Sequence, residues 1–257
     1  MNFPTFRLFL LFTVCNASQS PSARIVNGYD AQAESTPFMV SIMRYGYHSC
    51  GGSLINHRTV LTAAHCLIQT TENMLKVRLG SKHISQGGQV YKVEKLEIHP
   101  KFNTFTLNYD IAYLRLNQSV TITENVKPIT LSGKRDTLKH GEIATIYGWG
   151  IQHQHFFKSP TFLQYAKVPI IDSMLCKQMM LNRISGAMFC AGYIKGGVDA
   201  CQNDSGGPLI INNKLFGIVS WGNGCAMPGN PGVYTHVSVV RPWIDEILLK
   251  HYHEKIK

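Results

Sequence analysis

The chain has 257 residues, of which 44% are hydrophobic and 16% are charged, and this balance suits a globular protein with a packed core. Its 22 glycines and 11 prolines follow no period, which excludes collagen-like and low-complexity chains. The formal net charge is +10, but the lysines and arginines are dispersed rather than clustered. We therefore expect a solvated basic surface and predict no nucleic-acid partner.

The first 24 residues read as a targeting segment followed by a short polar linker. Arg7 precedes an apolar run over residues 8–14, which is far shorter than the roughly 20 residues that a membrane span needs. We therefore predict a signal peptide over residues 1–17, a propeptide over 18–24, and a secreted extracellular protein without a membrane partner.

Arg24 stands directly before the sequence IVNG at residues 25–28. A basic residue before a β-branched pair can be an ordinary strand start. It can also be a processing site, where cleavage creates a new α-amino group at Ile25.

From residue 25 onward the coarse pattern is all-β. Short runs rich in branched and aromatic residues recur between Gly, Asn, Pro and Ser, and examples are 38–42, 76–79, 111–116 and 215–220. Regular spacing of this kind indicates a sandwich or a barrel. The polar stretch 132–141 reads as a linker, which predicts one β-unit over about 25–131 and a second over about 142–238.

The end of the chain has a different period. Apolar residues recur at helical spacing within residues 239–252, namely Val240, Trp243, Ile244, Ile247 and Leu248. The pattern predicts an amphipathic C-terminal helix that docks by its apolar face.

The cysteines fit a secreted protein. Of the seven, Cys15 lies in the segment expected to be removed, which leaves six in an oxidising compartment and favours three disulfides. Six cysteines permit 15 pairings, and the sequence alone does not choose among them. Because no C-x-x-C or H-E-x-x-H spacing occurs, we predict no metal site and no cofactor, and we interpret His153 and His155 as solvated loop residues.

Three polar residues are candidate catalytic groups, and each has a plainer interpretation. Ser205, in the sequence DSGGP, is either part of a polar turn or an exposed nucleophile on a glycine turn. His65, in TAAHC, is either a structural histidine beside a disulfide or a base that activates a serine. Asp110 precedes an apolar strand and is either a turn residue or a buried acid that pairs with an imidazole N–H.

The motifs TAAHC, DIA, DSGGP, SWG and GVYT occur in this order, behind the basic residue before IVNG. Together they resemble the trypsin/chymotrypsin family of serine endopeptidases over essentially all of residues 25–250. The order His, Asp, Ser matches that family and differs from the Ser, Asp, His order of α/β-hydrolases.

The resemblance implies an all-β fold of two six-stranded antiparallel β-barrels with a C-terminal α-helix, forming a peptidase domain over residues 25–257. It implies that Ser205 Oγ attacks the scissile carbonyl while His65 acts as base and then as acid. Asp110 would hold the imidazole, and the backbone N–H groups of Asn203 and Ser205 would form the oxyanion hole.

The resemblance also implies a zymogen. Cleavage after Arg24 by an activating protease would free the Ile25 ammonium to pair with Asp204 and order the oxyanion turn.

Substrate specificity follows by the same resemblance. Asp199 would lie at the floor of a pocket for Arg or Lys, with Gly222 and Gly232 keeping the wall open. Because Ala200 offers no hydroxyl to a lysine ammonium, we predict that Arg is preferred. The segment Ser220, Trp221 and Gly222 would bind the substrate backbone as an added strand.

The cysteines would pair, again by resemblance, as Cys50–Cys66, Cys176–Cys190 and Cys201–Cys225. The implied partners are protein or peptide substrates, protein protease inhibitors and the activating protease, and the protein would act as a monomer.

The chain departs from the family pattern at three places. Asn203 replaces a glycine, which predicts weaker binding of rigid protein inhibitors and slower acylation. Met180 replaces a tyrosine behind the pocket, which predicts less strict specificity. Residues 81–88 replace the acidic calcium loop of many trypsins, so we predict no calcium site there. Asn117 is a candidate glycosylation site.

One alternative belongs to another class of protein, a secreted protease homologue that binds a partner and does not cleave it. Such relatives usually lack a triad residue. Here all three are present, and only Asn203 favours the alternative.

Overall fold

The computed structural model describes residues 25–26, 28–31, 36–151 and 159–254. The predicted signal peptide and propeptide, Arg24, His153 and His155 lie outside the described residues.

Six antiparallel strands form a closed barrel in the first half of the chain, in the order β2-β3-β4-β7-β6-β5. They are β2 (Met39–Arg44), β3 (Tyr47–Asn56), β4 (Thr59–Thr62), β5 (Leu75–Leu79), β6 (Gln89–Ile98) and β7 (Ala112–Leu116). In β5, buried residues alternate with more exposed ones, as expected of a strand with one face toward a core. Val40, Leu54, Val77 and Leu114 are among the residues that fill the barrel.

A second sheet has the strand order β1-β10-β9-β12-β13-β14-β11, and β8 pairs with β13 beside this path. Its strands are β1 (Tyr29–Asp30), β8 (Thr130–Leu131), β9 (Ile143–Gly148), β10 (Gln164–Pro169), β11 (Met188–Ala191), β12 (Pro208–Ile211), β13 (Lys214–Trp221) and β14 (Gly232–His236). A single antiparallel bridge between Ile170 and Ala191 joins the end of β10 to the end of β11. Strands β9 to β14 therefore form a six-stranded ring that one bridge completes.

In the described ranges, two α-helices accompany the strands. The helix α1 (Ser173–Met179) begins at Asp172, whose carboxylate accepts hydrogen bonds from the N–H groups of Met174 and Leu175. The C-terminal helix α2 (Val237–Glu254) packs apolar residues such as Trp243 onto the core. The prediction of an all-β fold with a C-terminal helix is confirmed. No helix in the described ranges has the length and apolar character that a bilayer crossing requires.

The two β-units share one apolar interface. Leu61 and Tyr113 from the first barrel pack in the same cluster as Ile210 and Leu215 from the second sheet. Burial of such side chains contributes about 1.5–3 kcal/mol each. Because strands from both halves end at this interface, residues that follow or precede them are brought together there.

Candidate active site

Asp110 and His65 form a hydrogen-bonded pair at the interface. His65 lies in a 3₁₀ helix, Ala64–Leu67, just after β4, and Asp110 lies just before β7, which pairs with β4. His65 Nδ1 is 2.7 Å from Asp110 Oδ2, and the His65 backbone N–H donates to Oδ1 at 2.9 Å. Since a carboxylate accepts, Nδ1 carries the proton, which leaves Nε2 as the basic nitrogen.

A third donor completes the surroundings of this carboxylate. The Ser220 hydroxyl donates to Asp110 Oδ2 at 2.6 Å, and Thr235 Oγ1 donates to the Asp110 carbonyl at 2.8 Å. Asp110 is 0% exposed, whereas the His65 side chain is 24% exposed. The acid is thus fully enclosed and hydrogen-bonded, while the imidazole remains accessible. Sequence reasoning gave Ser220 a role in substrate binding and missed this bond, which joins residues 110 positions apart.

Ser205 comes from the second half of the chain, and its backbone contacts both halves. The Ser205 carbonyl accepts from the Gly51 N–H of β3 at 2.8 Å, and the Gly206 N–H donates to Val219 O of β13 at 2.8 Å. Cys66 Sγ is 3.9 Å from His65 Nε2 and 3.8 Å from the Ser205 carbonyl. The loop that carries Ser205 is therefore held by both halves of the molecule, and Cys66 contacts both its carbonyl and the basic nitrogen of His65.

The backbone of Asn203 is fixed by a network that the sequence did not reveal. Asn203 has a φ of 74°, a region that asparagine tolerates better than most residues. Its carbonyl accepts from His48 Nε2 at 3.0 Å, and His48 Nδ1 is 2.7 Å from Ser41 Oγ. Burial lowers the pKa of His48 to about 4, so the ring is neutral, with Nε2 as donor and Nδ1 accepting from the Ser41 hydroxyl.

The Asn203 side chain makes a second attachment. Its Nδ2 donates to Ser159 Oγ at 3.0 Å, across to a different loop. The two contacts hold the Asn203 carbonyl and side chain, which lie next to the peptide that carries the Asn203 N–H. No short-range sequence pattern links His48 or Ser159 to Asn203, because they are 155 and 44 residues away.

Asp204 is a buried acid of a different kind from Asp110. It is 1% exposed, and its carboxylate accepts from the N–H groups of Gly150 at 2.6 Å and Cys201 at 2.9 Å. Burial raises the pKa of Asp204 to about 7, partly opposed by these hydrogen bonds. A Cβ on Gly150 would lie 2.2 Å from an Asp204 oxygen, so only glycine fits there. Ile25 is fully buried in the core of the second sheet.

Asp199 lies in a cavity of about 200 Å³ that also reaches Ser205. Its carboxylate accepts from its neighbour Ala200 N at 2.8 Å and from Ala226 N at 3.2 Å, and burial raises its pKa to about 7. The predicted pocket residues all line this cavity, namely Ala200, Ser220, Trp221, Gly222 and Gly232. A Cβ at Gly232 would lie 2.8 Å from Asp199 Oδ1 and would crowd the floor.

The six cysteines among the described residues form the disulfides Cys50–Cys66, Cys176–Cys190 and Cys201–Cys225. They are the pairs that the family resemblance implies. The first adjoins His65, and both sulfurs of the third belong to residues that line the Asp199 cavity. Met180 is fully buried beside Cys176 and Cys190, in a cluster on which Trp221 packs. Within the described ranges, no three His, Cys, Asp or Glu residues are grouped as metal ligands would be.

Comparison with known proteins gives one consistent result. The family model described as Trypsin matches residues 25–244. The chain is 42% identical to Trypsin 5G1 of Aedes aegypti over 235 residues, covering 90% of this chain and 87% of that protein. It is 41% identical to Hypodermin-B of Hypoderma lineatum, covering 87% of each chain. It is 40% identical to the Vitellin-degrading protease of Bombyx mori, covering 96% of this chain and 98% of that one.

Proposed function

The chain belongs to the trypsin family of serine proteases, and from this premise we propose a secreted endopeptidase, made as a zymogen, that cleaves peptide bonds after Arg or Lys. The observation that carries the proposal is the single cavity that both the buried Asp199 and Ser205 line. A basic side chain in that cavity would bring its own carbonyl carbon to the serine hydroxyl.

In the proposed reaction, Ser205 Oγ attacks the scissile carbonyl and His65 Nε2 takes the hydroxyl proton. Asp110, held by the two His65 donors and by Ser220, stabilises the imidazolium that forms. The C–N bond then breaks, and the proton passes from Nε2 to the leaving amine. Water repeats these steps on the acyl-enzyme and releases the acid product.

The developing oxyanion would be stabilised by the N–H groups of Asn203 and Ser205. Each such donor contributes about 3 kcal/mol in related reactions. The Ile151 N–H donates to the Gln202 carbonyl at 2.8 Å and so holds the peptide that carries the Asn203 N–H, which means that this donor needs little reorganisation during the reaction.

Specificity for a cation follows from the state of Asp199. A buried carboxylate with a pKa of about 7 lacks a charged partner, and a guanidinium or ammonium in the pocket would supply one. Arg is expected to exceed Lys because a planar guanidinium can pair with both carboxylate oxygens, and Ala200 offers no hydroxyl to an ammonium.

Activation is proposed to use Asp204 in the same way. Cleavage after Arg24 would create an ammonium at Ile25, whose side chain already lies in the core of the second sheet. That ammonium would pair with Asp204, which directly precedes Ser205. Protein substrates, protein inhibitors and an activating protease are the proposed partners of a monomeric, extracellular enzyme.

The deciding experiment is labelling with a fluorophosphonate, followed by cleavage assays on peptides with Arg, Lys or Phe before the scissile bond. We expect labelling only after cleavage at Arg24, none in Ser205→Ala, and turnover in the order Arg, Lys, Phe. An Arg24→Gln variant that was fully active without processing would contradict the zymogen. A processed protein that folds but does not label would instead be the binding homologue, whose one supporting observation is Asn203.

A further inference from the structure

A guanidinium lies beside the Asp199 cavity, at the point where a bound peptide would leave it. The guanidinium carbon of Arg183 is 4.6 Å from the centre of the Trp221 ring. Trp221 lines the cavity that contains Asp199 and Ser205. A cation is thus stacked on a residue that lines the same cavity as Asp199.

The backbone around Arg183 is fixed. Leu181 and Asn182 have φ values of 52° and 59°, and the N–H groups of Asn182 and Arg183 donate to Lys177 and Met180 carbonyls. This arrangement closes the end of α1 in a tight turn.

A second attachment joins this turn to the loop that carries Asp110. Ser185 Oγ donates to Asn108 Oδ1 at 2.6 Å, and Asn108 is two residues before Asp110. The position of Arg183 is therefore set by α1 and by the Asp110 loop, as well as by the ring that it covers.

The guanidinium has unused hydrogen-bonding capacity. Among the described residues, no ion pair or side-chain hydrogen bond involves Arg183. A guanidinium that stacks by its face keeps its N–H groups at its edge, where they can bind a carboxylate. The charged residues of segments 101–110, 181–186 and 219–224 are Lys101, Asp110 and Arg183, and Asp110 is buried against His65. The accessible charge on this side of the cleft is therefore positive.

A substrate strand would run past this cation. Strand β13 pairs with β14 through Trp221, while its other edge pairs with β12 only as far as Ile218 and bonds Gly206 and Gly207 at Val219. An extended peptide added at that edge, with its basic side chain toward Asp199, places its preceding residues along Ser220, Trp221 and Gly222.

We propose that Arg183 is a specificity-determining residue, and that the preferred substrates carry Asp or Glu one to three positions before the basic residue. The inference rests on the proposed cleavage after Arg or Lys, and it adds the class of sequence that precedes this residue. The substrate class is a peptide with an acidic side chain shortly before a basic one, matching the cation on Trp221 and the acid at the pocket floor.

The test uses the processed enzyme and peptides that end in Arg before a fluorogenic amide. Asp and Asn are exchanged at the second, third and fourth positions before the scissile bond, and kcat/KM is measured for each pair. At one or more positions the Asp peptide is expected to exceed the Asn peptide by about two- to fivefold, the range of an exposed ion pair. The ratio should shrink toward one in high salt.

The ratio should also be close to one in Arg183→Gln and intermediate in Arg183→Lys, which keeps a charge but cannot stack as a plane. Lys177→Gln is the matched control, because it removes an exposed cation from α1 and should keep the wild-type ratio. An Asp/Asn ratio of one in the wild type, or an unchanged ratio in Arg183→Gln, would overturn the inference.

Two further outcomes distinguish a failure of the Arg183 inference from a failure of the proposed function. If Arg183→Gln does not fold, an Asp/Asn ratio in the wild type that high salt leaves unchanged overturns the inference, and a ratio that salt abolishes supports it. If the processed wild type cleaves none of the Arg peptides, including the Asn series, the proposed function fails and the inference fails with it.

Discussion

The site contains two kinds of buried carboxylate, and they differ in what surrounds them. Asp110 accepts from a backbone N–H, an imidazole N–H and a hydroxyl, all supplied by the folded chain. Asp199 and Asp204 accept only backbone N–H bonds in the described chain, and burial raises the pKa of each to about 7. Asp110 therefore has all its hydrogen-bond partners as soon as the chain folds. The other two are suited to receive a cation, from the substrate at Asp199 and from the new N-terminus at Asp204.

The greatest loss of activity is expected from a substitution of Asp110, the acid whose hydrogen-bond partners are all supplied by the folded chain. Asp110→Asn keeps the shape of the side chain but gives His65 Nδ1 an amide partner, which permits the wrong tautomer. We expect kcat/KM of the processed enzyme to fall roughly ten-thousand-fold. Steady-state kinetics with an Arg peptide measure this, and a loss of less than about tenfold would contradict the role of Asp110.

The second-largest loss of activity is expected at Asp204, the acid proposed to pair with the new N-terminus. Asp204→Asn removes the charge that would hold the Ile25 ammonium, so the oxyanion turn should lose its order. We expect kcat/KM to fall by about a hundred- to a thousandfold, the loss seen when an oxyanion donor is removed. Asp136→Asn is the control, since that exposed acid pairs with Lys214 away from the site and should leave kcat/KM unchanged. Equal activity of the two variants would refute the activation model.

Because of Asp199, the binding of a cation in the pocket should depend on pH. Since the pKa of Asp199 is raised to about 7, the carboxyl group is protonated below that pH, and a bound cation must displace the proton. We expect the Kd of a small aryl amidine to be constant above about pH 7 and to weaken by up to about tenfold per unit below it. Asp199→Asn should bind weakly throughout, and wild-type affinity that did not change between pH 5 and 8 would be the contrary result.

The same acids should make folding depend on pH in the unprocessed protein. Their folded pKa of about 7 lies above the usual value of 3.8, so the folded state holds the proton more tightly. Their contribution to the free energy of unfolding is therefore greatest below about pH 4 and declines as pH rises to about 7. Denaturant titration of Ser205→Ala should show this decline, and adding Asp199→Asn should flatten it. A rise in stability over this range that Asp199→Asn left unaltered would contradict the assignment.

The weakest change in activity is expected at Asn203, because its side chain makes a neutral hydrogen bond whereas the three acids carry charge. Asn203→Gly removes the side chain that reaches Ser159 and should raise the acylation rate or the affinity for a rigid protein inhibitor by about two- to fivefold. Ser159→Ala removes only the partner of that hydrogen bond and should have a smaller effect. Single-turnover kinetics and inhibitor titration measure both, and no change in either quantity for Asn203→Gly would remove this role.

Much of the fold was open to prediction from the sequence. Short runs of branched and aromatic residues between turn residues predicted the strands, and residues such as Trp243 at helical spacing predicted α2, because burial on one face of a helix leaves a periodic pattern in the chain. That the second ring closes through one bridge between Ile170 and Ala191 left no such trace. A single long-range bridge changes neither the period nor the composition of either segment.

In the candidate site, too, local features were predictable from the sequence and long-range contacts were not. Short motifs identified the candidate chemical groups His65, Asp110, Ser205 and Asp199, because the neighbouring residues in each motif shape the local backbone. The contacts that each of them makes became visible in the folded structure. The hydrogen bond from Ser220 to Asp110, the hold of His48 and Ser159 on Asn203, and the Arg183 cation on Trp221 all join distant segments. Motifs encode local geometry, whereas pKa values and specificity depend on burial and on partners that only folding brings within a few ångströms.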